Sequence, residues 1–148
     1  MGDDESKSFS LPEAERIRSQ VEPVLIEAMN LRRKMGELDE QLRALAERIQ
    51  RSGGLLVSYE QIAPLRLERN RLAEAVQAAV ERILSTGCIV KDLDVGLLDF
   101  PSRLNDEDVY LCWRLGEDRI RFYHRQDEGF AGRKPIDPRD ADYHNPIQ

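Results

Sequence analysis

Four residues in the second half of the chain, Asp94, Asp99, His124 and Glu128, are of the types that bind divalent ions or move protons. Carboxylates and an imidazole ligate such ions, and an Asp paired with a His works as a general base. Asp99 stands inside the apolar run Gly96-Leu97-Leu98-Asp99-Phe100-Pro101, where an unpaired charge is expensive. It is expected to find a partner in Arg114, His124 or backbone N–H groups. No HxxxH, HxE or paired-carboxylate spacing sharpens the set into a motif. The preferred reading is therefore structural, a salt bridge or capped turn that fixes how strands join.

Two further constellations compete with it. Cys112, with Cys88 as its only companion thiol, could act as a nucleophile if a base or positive field lay near it. Alternation along the strands places His124 on the opposite face from Cys112, so a buried, inert thiol is preferred. Arg114, Arg121, Arg125 and Arg133, interleaved with Tyr110 and Tyr123, suit a phosphate, a carboxylate or an RNA backbone. The plainer alternative is a solvated sheet face with cross-strand pairs to Glu117, Asp118 and Asp127. Gly129-Phe130-Ala131-Gly132-Arg133 reads as a tight, shaped loop, without the spacing of a phosphate-binding motif.

These side chains need elements to hold them, and the first half of the chain supplies a support. Ser10-Leu11-Pro12-Glu13 fits a capping box, which predicts a helix start there. Ile17, Val21, Val24, Ala28, Leu31, Met35, Leu38, Leu42, Leu45 and Ile49 then alternate in steps of four and three. That is the apolar seam of a helix packed on a partner helix. Pro23 predicts a kink, and Ser52-Gly53-Gly54 a stop. Ser58 reads as the cap of a second helix carrying Ile62, Leu65, Arg69, Leu72, Val76, Ala79 and Ile83, with Pro64 displacing its start by several residues. Arg69, on the seam, is expected to snorkel to the surface or to pair with Asp39 or Glu40.

After Gly87 the period changes to two. Cys88–Lys91, Val95–Phe100, Val109–Leu115 and Ile120–His124 read as extended segments. Carried through a hairpin at Gly116-Glu117-Asp118, the alternation puts Val109, Leu111, Trp113, Leu115, Ile120 and Phe122 on the helix-facing side. It leaves Tyr110, Cys112, Arg114, Arg121, Tyr123 and Arg125 on the other.

The run Gly87 to Pro101, Tyr110-Leu-Cys-Trp-Arg-Leu-Gly-Glu117, and His124 through Gly129-Phe-Ala-Gly-Arg-Lys-Pro-Ile136 resemble the bacterial family known as domain of unknown function 2203. Phe9-Ser-Leu-Pro-Glu-Ala14 and the two helices fit as well, so the resemblance covers roughly residues 9–136. Tyr123 departs from the Trp expected before the His. The resemblance implies a compact bacterial cytoplasmic protein and supplies no activity.

The 148 residues carry 22 basic and 28 acidic side chains, a net charge of −6 that disfavours duplex nucleic acid. The polar start MGDDESKSFS lacks an apolar signal core, and no apolar run is long enough to predict a membrane span. The expected fold class is α+β, a long antiparallel two-helix coiled-coil hairpin followed by a small three- or four-stranded antiparallel sheet. Residues 1–8 are expected to be a disordered leader, 9–87 the hairpin, 88–136 the sheet packed on it, and 137–148 a polar tail. The preferred function is a non-catalytic, homodimeric interaction protein in the cytoplasm. It would assemble through its helices and offer Arg114, Arg121, Arg133 and Tyr123 to a protein or anionic partner, with no cofactor. The alternative is a small metal-binding protein or enzyme centred on Asp99 and His124, with Asp94 and Glu128 as lesser ligands and Cys112 as a lesser catalytic candidate.

Overall fold

A computed structural model describes residues 8–53 and 59–137. The expected leader and tail lie, apart from Ser8 and Asp137, outside the described residues, as does the cap expected at Ser58. Two helices, α1 (Leu11–Arg51) and α2 (Tyr59–Leu84), precede a five-stranded antiparallel sheet. The chain divides into two compact units, Met1–Ile26 with Val80–Gln148, and Glu27–Ala79.

Local chemistry sets the ends of α1. The Ser10 N–H donates to Glu13 Oε1 at 2.9 Å and the Glu13 N–H to Ser10 Oγ at 3.2 Å, the reciprocal capping box. The far end closes at Gly53, whose φ of +72° is the left-handed conformation that glycine adopts without strain. Pro23 lies inside an unbroken α1. Pro64 also lies within α2, which starts five residues earlier at Tyr59 rather than being displaced past the proline.

In the Glu27–Ala79 unit the seam is visible as burial. Leu31, Met35, Leu38, Leu42, Leu45 and Ile49 of α1 are half-buried, as are Ile62, Leu65 and Val76 of α2, while Leu72 is buried. Arg69 Nε donates to Asp39 Oδ1 at 2.9 Å, the seam pairing expected of it. Both partners are well exposed, so the pair adds little stability.

In the other unit the sheet is a meander of β1 (Ile89–Asp92), β2 (Leu97–Leu104), β3 (Glu107–Arg114), β4 (Phe122–Arg125) and β5 (Lys134–Pro135). The sheet has five strands where three or four are expected, because Lys134–Pro135, too short to show alternation, pairs with Phe122 and Tyr123. β2 does not end at Pro101 but continues to Leu104. The Phe9 N–H donates to the Pro101 carbonyl at 2.7 Å, so that residue's polar edge points away from β3, beyond the end of β1. A missing N–H there removes no ladder bond. β2 and β3 join through Asn105 and Asp106, with φ of +52° and +63°, the two-residue turn whose twist suits a hairpin.

The sheet packs one face on the start of α1. Leu98, Phe100, Val109, Leu111 and Trp113 share it and are buried together with Phe9, Ala14, Ile17, Val21 and Leu25. Burying each Leu or Phe side chain contributes about 1.5–3 kcal/mol. Directed contacts fix the register: Ser102 Oγ donates to the Phe9 carbonyl at 2.6 Å, and the Ile120 N–H to Glu15 Oε1 at 2.9 Å. The Phe9 and Phe100 rings meet edge to face, and the Arg18 guanidinium lies 5.4 Å from the Trp113 ring centroid.

One expectation about this sheet is overturned. Tyr110 pairs with His124, Leu111 with Tyr123 and Cys112 with Phe122. His124 and Phe122 therefore share the face of Cys112, while Tyr123 and Arg125 turn to the Leu111 side. The reason is the connection from Leu115 to Arg121, which is irregular and turns at Gly116 with φ of +107°. Such a stretch does not conserve a two-residue count, and a slip of one flips every later side chain.

Candidate metal centre

The sheet face opposite α1 carries a buried polar cluster. Register aligns Asp99 of β2 with Cys112 of β3, and places His124 of β4 one pair along on the same face. Asp99, Cys112 and His124 are 3%, 1% and 2% exposed. One ligand atom from each can be chosen so that all three lie within 4.8 Å of one another.

His124 is held at both nitrogens. Nδ1 lies 2.9 Å from the Arg125 carbonyl and Nε2 lies 3.2 Å from each Asp99 oxygen. A carbonyl only accepts, so Nδ1 carries a proton. Nε2 then has two states: protonated against an ionised Asp99, or a bare lone pair facing a protonated one. Burial raises Asp99 above its ordinary value, and the neighbouring His124 charge works against that rise. The tilted Tyr110 ring, 5.4 Å away between centroids, flanks the imidazole.

The thiols are protonated at neutral pH. Burial first, then the Asp99 charge, pushes Cys112 up to about 11 and Cys88 up to about 12. Cys112 is therefore no nucleophile in this state, although a bound metal deprotonates a coordinating thiol outright. Both cysteines are free.

Arg133, arriving just before β5, closes over this face. Its guanidinium stacks between the rings of Phe122 and Phe130, 4.1 Å from each centroid. Nη2 donates to Glu117 Oε2 at 2.7 Å. Its charge also bears on the Cys112 thiol, opposing the rise that burial causes. The Arg133 Nη1 is buried and has no acceptor among the described residues.

A family model described as an uncharacterized conserved protein, DUF2203, matches residues 7–136. The chain belongs to that family. Comparison with curated proteins and with solved structures returns no match. Among the described residues of this DUF2203 protein, no helix is long and apolar enough to cross a membrane.

The sequence-predicted residues are thus sorted by the DUF2203 fold. Asp99, Cys112, His124 and Arg133 converge. Asp94 sits in the exposed β1–β2 turn, where its N–H donates to Asp92 Oδ1, and Glu128 accepts from the Arg125 N–H and Lys134 Nζ. Neither joins the three-residue cluster. Arg121 pairs with Asp118 and Arg125 with Glu107, all exposed at the surface, and Arg114 is exposed at the end of β3. Tyr123 lies on the opposite face, with Lys134 Nζ 6.0 Å from its ring. Phe122 and Phe130 as walls for Arg133 escaped the sequence reading. The only sequence signal for them is the spacing of Phe130 and Arg133 around Gly132, which by itself implies a shaped loop and no stacking partner.

Proposed function

We propose that this protein binds a divalent transition metal, zinc foremost, through Asp99, Cys112 and His124. One observation carries the reading: an N, an O and an S donor sit together, buried, with the imidazole already oriented. A proton on Nδ1, held by the Arg125 carbonyl, leaves Nε2 as the ligating atom, the second-sphere arrangement usual for metal-binding histidines. In a tetrahedral zinc site with bonds of about 2.0–2.3 Å, ligand atoms stand roughly 3.3–3.8 Å apart. The His124–Asp99 separation of 3.2 Å fits this already, and the 4.8 Å limit leaves about 1 Å of closure. Three protein ligands leave a coordination position for a further group, the pattern of catalytic rather than structural zinc.

Metal analysis of protein purified without a polyhistidine tag tests this. Stoichiometric zinc, manganese or iron is expected, and loss of it in Cys112→Ala and in Asp99→Asn. Protein that neither retains nor takes up metal, with variants that change only the melting temperature, would show a purely structural Asp99–His124 pair.

A second reading, assembly into a homodimer through the helices, draws on the half-buried seam and on Leu67, 55% exposed on α2. Light scattering that finds a monomer at micromolar concentration refutes it. A cytoplasmic setting belongs with both readings, since two free buried thiols suit a reducing compartment.

A further inference from the structure

Among the described residues, Arg133 Nη1 is the one buried side-chain polar atom with no hydrogen-bond partner. Two phenyl faces sandwich its guanidinium and Glu117 takes Nη2, so the group can neither tilt nor swing without losing those contacts. Its Nη1 is nevertheless buried and meets no acceptor among the described residues. Leaving a buried charged donor unmade costs as much as a charged hydrogen bond returns. Beside the guanidinium lies the Cys112 thiol, a weak sulfur acceptor whose contact does not meet hydrogen-bond geometry at Nη1. A group held this rigidly is therefore preorganised for a stronger oxygen acceptor.

We propose that Arg133 Nη1 receives a small monovalent carboxylate, which occupies the remaining coordination position of the metal held by Asp99, Cys112 and His124. This rests on the metal reading above. Charge decides the class of anion. A divalent metal is neutralised by the Asp99 carboxylate and the Cys112 thiolate, and Arg133 is neutralised by Glu117. Those pairs are already balanced and Lys91 is exposed to solvent, so a monoanion adds the least uncompensated charge. A phosphate dianion adds twice as much to a face walled by Phe122 and Phe130. A guanidinium edge also suits the planar geometry of a carboxylate.

The test uses the full chain loaded with cobalt(II), a spectroscopic stand-in for zinc, and titrates formate, acetate and inorganic phosphate while following the visible ligand-field bands. Saturable changes with formate or acetate, at lower concentration than with phosphate, are expected. Arg133→Met, compared with wild type when both are saturated with cobalt, should weaken carboxylate binding by about 10- to 100-fold, the loss of one charged hydrogen bond. Arg133→Lys, which keeps the charge, serves if the methionine variant does not fold, and should weaken carboxylate binding at least several-fold. Cobalt bound with no carboxylate response, equal carboxylate affinity in wild type and Arg133 variants, or tighter phosphate binding overturns the anion site alone. Failure of cobalt to bind overturns the metal centre, and this proposal with it.

Discussion

Replacing His124 by alanine tests how the buried centre is held. His124 and Asp99 are 2% and 3% exposed, so His124→Ala strands a carboxylate in the interior and deprives the Arg125 carbonyl of its donor. Breaking a buried pair from one side costs about 3–5 kcal/mol. For a chain near 150 residues that is a fall in melting temperature of about 6–20 °C. Asp99→Asn should behave differently: its neutral amide donates to a bare Nε2 while Nδ1 keeps the Arg125 carbonyl, so the loss stays below about 1.5 kcal/mol. Adding His124→Ala to Asp99→Asn should then cost less than adding it to the wild type, because no charge is stranded. The penalty also has a pH sign. Asp99 is raised by burial, so its contribution to stability is present at low pH and lost as pH rises through the folded-state value. Without the opposing His124 charge that value rises further, and the cost of His124→Ala must grow with pH. The assay is thermal and urea unfolding of metal-free protein, followed by Trp113, the single, fully buried tryptophan on the neighbouring strand face. Equal costs of His124→Ala with and without Asp99→Asn, or a penalty that shrinks with rising pH, would refute the reasoning.

The other predictions concern the thiols and the helix cap. Cys112 and Cys88 are raised to about 11 and about 12, above an unfolded value near 9, so their contribution is intact below pH 9 and disappears as pH rises toward those values. Each thiol should steepen the alkaline loss of stability by about 1.4 kcal/mol per pH unit. Urea unfolding between pH 8 and pH 11 of the metal-free Cys88→Ala, Cys112→Ala double variant (roughly the window in which the thiols act) should show a flatter profile than metal-free wild type; parallel profiles would contradict this. Ser10→Ala removes the acceptor for the Glu13 N–H and should cost about 0.5–2 kcal/mol by the same unfolding assay, with no change in metal content.

Most of the helical architecture was legible because its determinants are local. Ser10 and Glu13 cap each other across three residues, Gly53 stops α1 in the conformation only glycine takes easily, and Arg69 found Asp39 because the seam brought them together. Asp99 announced itself as a charge inside an apolar run, and His124 was among its expected partners. What failed was parity. Counting in twos from Trp113 crossed the irregular stretch after Leu115 and put His124 on the wrong face, which separated it from Cys112. Arg133 was placed in a loop because two residues of strand, Lys134–Pro135, carry no periodic signal of their own. The clustering of Asp99, Cys112 and His124 therefore depends on register between three strands, a non-local property.

The bond from the Ile120 N–H to Glu15 spans 105 residues, and it joins the first and last parts of a unit interrupted by the whole Glu27–Ala79 insertion. On a ribosome adding about 5–20 residues per second, the apolar face of Phe9, Ile17 and Val21 waits roughly 5–20 s for the strands that will cover it. The helical insertion can form meanwhile from contacts close in sequence. The sheet unit, and with it Asp99, Cys112 and His124, is assembled last. On the metal reading, binding therefore follows the pairing of β2, β3 and β4 rather than preceding it.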